Sequence, residues 1–95
     1  MGDDATREIV RLFLDDFPVS MGHLSGGTPQ EQHRVAHGLK SSARHMGAIG
    51  LSERMAAIEN RLESPGERVS ASEISAAVAD FAAVAPGLRL YAGEA

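Results

Sequence analysis

His37 stands in the run Ala36-His37-Gly38-Leu39-Lys40-Ser41-Ser42-Ala43-Arg44-His45-Met46-Gly47-Ala48, whose residue types suit the handling of an anion such as phosphate. A neutral imidazole is a nucleophile near physiological pH. On a helix advancing about 100° per residue, with His37 at zero, Arg44 falls about 20° away, His33 and Ser41 about 40°, and Arg34 and Lys40 about 60°. Val35, Leu39, Ser42 and Met46 point the opposite way, with Ala36 and Ala43 flanking them. The pattern predicts an exposed stripe with His37 at its centre and Lys40 exposed beside it. Cations one or two turns away can meet a phosphoryl group through charge-assisted contacts, which are stronger than neutral ones. The stripe itself carries no aspartate or glutamate close to His37, which favours an anionic partner over a cation.

The same residue types also occur in other chemistries. A histidine among charges is often just a solvated helix face. Gly38 argues against that here, because glycine costs about 1 kcal/mol relative to alanine inside a helix. Close approach by a partner backbone would account for Gly38 and Gly47 together. His33 and His37, four apart, have metal-ligand spacing, but zinc usually takes three or four protein ligands. No cysteine or nearby carboxylate offers the rest, and Arg34, Lys40 and Arg44 would repel the ion. Ser41 and His37 are one turn apart without the acidic orienter or oxyanion hole that a hydrolase needs.

The elements that must position this stripe are helical. A first helix is expected from about Asp4 to Leu24, with Ile9, Phe13 and Phe17 at four-residue spacing and Val10 and Leu14 beside them. Asp3 or Asp4 can cap its start. Pro18 predicts a kink or a restart, since its ring clashes with the preceding turn and it lacks an amide hydrogen. Thr28, Pro29 and Glu31 form the start signal of the second helix, a capping box with proline at the first turn. That helix is expected to run to Ala48 or Ile49, with Gly50 marking the break. Leu51, Met55, Ile58 and Leu62 give a third, from about Leu51 to Glu63, a bundle-seam spacing. Ser70 and Glu73 open the fourth, whose stripe is Ile74, Val78, Phe81 and Ala85. Pro86-Gly87 is expected to bend or end it, leaving Leu88, Leu90 and Tyr91 in a frayed turn. Short connections favour antiparallel neighbours, hence an all-α, up-down four-helix bundle.

Composition narrows the function classes. The chain has 95 residues, enough for one domain, 1–95, with a modest core. The absence of cysteine excludes disulfides, thiolate metal sites and cysteine nucleophiles. A formal net charge of −4, few aromatics and no tryptophan weigh against nucleic-acid binding. No apolar run approaches the roughly 20 residues of a membrane span, and no signal segment opens the chain. The expectation is a cytoplasmic, monomeric protein without a membrane role. Met1-Gly2-Asp3-Asp4-Ala5-Thr6 fits the loose N-myristoylation pattern, but the two acidic residues after the glycine make it a poor acceptor.

The chain resembles the histidine-containing phosphotransfer (HPt) domain of bacterial-type two-component phosphorelays. His37, Leu39, Lys40, Ser42, Ala43, Gly47 and Ala48 match that family's central motif in register. Leu12-Phe13-Leu14-Asp15-Asp16-Phe17-Pro18 is similar to its first helix, Leu51 to Glu59 to its third, and Phe81 fits its last. The resemblance implies that His37 accepts a phosphoryl group from the phosphoaspartate of a receiver domain and passes it to another. Lys40 would stabilise the phosphate, and Glu59 would hold the His37 ring by a hydrogen bond. Arg44, Arg34, His33, Ser41, Gly38 and Gly47 would support the site or its docking face. The receiver would bring the magnesium, so no cofactor is expected in this chain, nor autonomous kinase activity from ATP. A non-catalytic module that binds a receiver or kinase without carrying phosphate is the alternative. Two positions depart from the family pattern. Ser41 stands where a glycine is usual, and His45 where asparagine is common.

Overall fold

A computed structural model describes residues 2–93 of the chain, with side chains described for residues 4–93. It contains four helices: α1 (Gly2–Gly26), α2 (Pro29–His45), α3 (Ile49–Leu62) and α4 (Ala71–Tyr91). Each helix packs on the next, and α4 returns to α1, closing an all-α four-helix bundle. The strongest packing is between α2 and α3, the pair that builds the His37 face. The core is the inner stripe of each helix. Phe13, Phe17 and Leu24 come from α1, Ala36, Leu39 and Ala43 from α2, Leu51, Met55 and Ile58 from α3, and Ala77, Phe81 and Ala85 from α4.

Local sequence signals set both helix starts that carry a capping box. The Glu31 amide donates to Thr28 Oγ1 at 3.2 Å, while the Thr28 amide donates back to Glu31 Oε1 at 3.3 Å. Ser70 and Glu73 repeat the exchange at the start of α4, with the Ser70 amide 2.8 Å from Glu73 Oε1. Each box satisfies amide hydrogens that a helix start otherwise leaves orphaned. At the start of α1 the expected cap is not formed by Asp4, which lies inside the helix and pairs with Arg7 at 3.7 Å. The Asp3 side chain and the Met1 end of the lipidation pattern lie outside the described residues.

Several expectations are corrected. Helix α1 is continuous through Pro18, with no restart, and α4 runs through Pro86 to Tyr91. A proline inside a helix costs about 3 kcal/mol. Here buried residues flank each ring on both sides along the chain: Phe17 and Met21 around Pro18, Phe81 and Ala85 ahead of Pro86 with half-buried Leu88 after it. Burying one such large apolar side chain contributes about 1.5–3 kcal/mol, so packing outweighs the local penalty. Ile9 is 49% exposed and Val78 45% exposed, where the stripes placed them inside. Val10 and Ala77 take the inner positions. Length and composition alone make α4 long and apolar enough to cross a membrane, contrary to the sequence expectation. In the bundle α4 packs on α1 through Phe81, whose ring stacks on Phe17 at 3.9 Å.

Polar latches tie the helices to one another. Buried Gln32 donates to the Leu24 carbonyl at 2.8 Å and accepts from the Val69 amide at 3.3 Å. Arg54 of α3 donates to Asp80 of α4 at 2.5 Å. Arg61 grips the α3–α4 connection, donating to Glu67 at 2.8 Å, to the Arg68 carbonyl at 2.6 Å, and to both oxygens of Glu73. That guanidinium, above all, drops the Glu73 carboxyl from 4.5 to about 2. The unfolded chain takes up this proton near 4.5 and the folded chain only near 2. Protonation between those values therefore favours unfolding. The contribution is complete above pH 4.5 and is lost as the pH falls toward about 2. Urea midpoints recorded across this window should fall for the native chain and fall less steeply for Glu73→Gln. Parallel curves would remove Glu73 as the acid-sensitive contact.

Candidate functional site

The His37 site is assembled from two helices. α2 supplies His37 and Lys40, and α3 supplies Glu59 and Ser52. His37 is exposed, with 62% of its side chain open to solvent, while the Glu59 carboxylate beneath it is only 10% exposed. Glu59 Oε2 lies 2.5 Å from His37 Nδ1, and Lys40 Nζ donates to Glu59 Oε1 at 2.6 Å. One buried carboxylate thus holds both side chains, one on each oxygen. Ser52, two turns before Glu59 on the inner face of α3, donates to the Lys40 carbonyl at 2.9 Å. This bond ties the α2 backbone to α3 beneath the site.

The electrostatics follow from the pairing. The Lys40 ammonium, and then the His37 hydrogen bond, pull the Glu59 carboxyl below its ordinary range, against the opposing effect of burial. An ionised carboxylate is an acceptor only. Nδ1 must therefore carry the proton of the His37–Glu59 bond, and in the neutral ring the lone pair sits on Nε2. Lys40 is half-buried against Glu59, where the helical wheel placed it exposed. Arg34 and Arg44 are exposed and form no ion pair among the described residues.

The tertiary structure turns α2 relative to the wheel. Its buried residues are Gln32, Ala36, Leu39 and Ala43. They centre about 130° from His37 on the Lys40 side, not directly opposite it. Ala36 and Ala43 are fully buried on that side, and α3 is the helix α2 packs on most extensively. His37 consequently rides a ridge with two unlike flanks. On the α3 flank Lys40 meets Glu59 and His33 Nε2 lies 3.5 Å from Glu63. On the α1 flank Arg34, Gly38, Ser41, Ser42 and His45 line a groove shared with Ile9, Leu12 and Asp16. Ser42, expected to face inward, is exposed there and donates to the Gly38 carbonyl at 3.2 Å.

Gly38 and Gly47 have different roles. α2 ends at His45, and the break falls at Gly47, not Gly50, which lies in the first turn of α3. Gly47 takes φ +77°. Its amide donates to the Arg44 carbonyl at 3.1 Å, and the Ala48 amide donates to the Ala43 carbonyl at 2.8 Å. This is a Schellman cap, whose left-handed residue is usually glycine. The conformation of Gly47 is thus explained by the helix end. Gly38 is not, since it sits in the middle of α2 with open space where a Cβ would be.

The family model of the Hpt domain matches residues 8–88. The chain belongs to the Hpt domain family. No curated protein and no solved structure matches it. Hpt domains are four-helix bundles that act as phosphocarrier modules in two-component signalling, not as kinases, and the architecture described above is of that kind. Within this Hpt domain, Ser52 and the Asp16 side of the groove escaped the sequence reading. Ser52 had a signal available. It lies seven residues before Glu59, a two-turn spacing that puts both on one face of α3.

Proposed function

We propose that this Hpt domain is a phosphorelay intermediate in which His37 accepts a phosphoryl group from the phosphoaspartate of a receiver domain and passes it to another receiver. The observation that carries the reading is a buried, ionised Glu59 at 2.5 Å from Nδ1 of an exposed imidazole. Nε2 attacks phosphorus, the P–N bond forms, and the bond from phosphorus to the aspartate oxygen breaks, leaving that carboxylate on the receiver. Nδ1 keeps its proton against Glu59, whose negative charge balances the positive charge the ring gains. Lys40 stands beside the ring, and Arg34 and Arg44 supply further cations for the phosphoryl oxygens and the acidic pocket of the receiver. The cation of that pocket, magnesium, belongs to the receiver, and we assign this chain no cofactor. We place the relay in the cytoplasm and read the domain as a monomer.

The reading is tested by profiling transfer from a panel of phosphorylated receiver domains. An acid-labile, alkali-stable phosphoryl group on the chain is the expected product. Receiver binding with no phosphorylation would make the chain a docking module instead. Lys40→Ala sharpens the assignment. It removes a cation beside the ring and leaves the buried Glu59 carboxylate with His37 as its one remaining partner. Charge-assisted contacts contribute about 1.5–3 kcal/mol, so transfer should slow by roughly tenfold or more while the circular dichroism spectrum stays helical. Unchanged transfer rates would remove Lys40 from the mechanism.

A further inference from the structure

Gly38 is the residue of this face that the fold itself does not use. Gly27 is required by space, because a Cβ there would lie 2.5 Å from the His23 carbonyl oxygen. Gly47 is required by its positive φ. Gly38 has neither reason: its backbone is ordinary helix, it is exposed, and a Cβ would meet nothing within 4 Å. Gly22, Gly26, Gly50 and Gly87 are equally open, but each lies near an end of its helix. Mid-helix glycine is the destabilising case, and among the described residues no close contact calls for it at this position.

The surroundings point to what does. Gly38 follows His37 directly and lines the groove between α1 and α2, a space of about 650 Å³. The far wall holds Ile9 and Leu12, apolar side chains left 49% and 55% exposed. Arg34, on the groove's rim, and Arg44, on the His37 ridge, are cations without an ion-pair partner among the described residues. The groove is therefore continuous with the His37 ridge: its α1 wall is mainly apolar, with the carboxylate of Asp16, and the cations stand on the α2 side beside the histidine. An anionic pocket that reaches Nε2 with an apolar segment beside it matches both features.

We propose that Gly38 is a recognition residue of the transfer complex: its missing side chain admits the backbone of the receiver domain, whose apolar segment packs over Ile9 and Leu12. The inference rests on the carrier reading above. It assigns Gly38 to docking and not to the chemistry at His37. Bulk at Gly38 should therefore raise the receiver concentration needed for half-maximal transfer without altering the reactivity of the imidazole.

The experiment compares the native chain, Gly38→Ala, Gly38→Leu and a control, Gly22→Ala. Three readouts are taken: the thermal midpoint, saturation kinetics with the phosphorylated receiver that transfers fastest to the native chain, and phosphorylation by phosphoramidate, a donor too small to need the groove. Gly38→Ala should raise the thermal midpoint by roughly 4–8 °C. It should also raise the half-saturating concentration by about tenfold or more, with a larger rise for Gly38→Leu. Phosphoramidate should label all four chains alike, and Gly22→Ala should transfer as the native chain does. Equal half-saturation for Gly38→Ala and the native chain overturns the proposal. So does a lowered thermal midpoint, which would make the glycine a requirement of the fold, or a loss of phosphoramidate labelling, which would place the effect in the chemistry. A native chain that accepts phosphate from no receiver overturns the carrier reading, and the docking role with it.

Discussion

His37→Gln is expected to accept no detectable phosphoryl group from any receiver while keeping the native fold. The imidazole is the one group of the ridge with a lone pair facing solvent and a buried carboxylate fixing its other nitrogen. Glutamine fills a similar volume and can donate to Glu59 through its amide, but it offers no nucleophilic nitrogen. Glu59 also keeps the Lys40 ammonium at 2.6 Å, so its charge is not stranded. An exposed substitution that keeps a donor to Glu59 should change stability by about 1 kcal/mol or less. Label stability in acid and alkali, read beside a urea titration, checks both halves. Label persisting on the variant would move the acceptor to His33, held toward Glu63 on the α3 flank, or to His45 on the groove flank.

Phe81→Ala is expected to cost the bundle about 3–5 kcal/mol, the range for emptying a buried phenylalanine site. Phe81 is 8% exposed and is the main aromatic anchor of α4. Its ring stacks on Phe17 at 3.9 Å and meets Phe13 at 5.8 Å, tilted by 47°. The other buried positions of α4, Ala77 and Ala85, are too small to fill the space it would leave. Domains of this kind hold about 5–15 kcal/mol in total, so the loss is a large share, and the thermal midpoint should fall by roughly 15 °C or more. Calorimetry reads the change directly, and a shift of only a few degrees would mean that α4 is held by something other than this stack. α4 packs on α1 and α3 and not on α2. Transfer to His37 at a temperature where the variant is folded should therefore match the native rate. A loss there would show that α4 reaches the site.

The contrast between these two variants reflects how the molecule is divided. Phe13, Phe17 and Phe81 hold the α1–α4 side, while Ala36, Ala43 and the Glu59–Lys40 pair hold the α2–α3 side. Gln32 connects the two, bonding the end of α1 and the segment before α4 from within α2. Gln32 and Glu59 are both buried polar residues with their hydrogen bonds made, the condition under which burial of such groups is tolerated.

By itself the sequence determined the number of helices, the capping boxes at Thr28–Glu31 and Ser70–Glu73, the α3 seam and the presence of His37 on an exposed stripe. These depend on residues three or four apart, whose relation any helix imposes. Only the tertiary structure decided which way α2 turns, because that depends on which of its stripes the neighbouring helices bury, here Gln32, Ala36, Leu39 and Ala43. The same packing carries α1 and α4 through their prolines, since burial on either side exceeds a local penalty that sequence alone registers as a break. It also decided that Glu59 faces His37 and Lys40 at once, a meeting of residues 22 and 19 positions apart. Helical spacing within α2 carries no information about a carboxylate on α3: the family resemblance named Glu59 as the partner of the ring, and only the packing of the two helices sets it 2.5 Å from Nδ1 with Lys40 on its other oxygen.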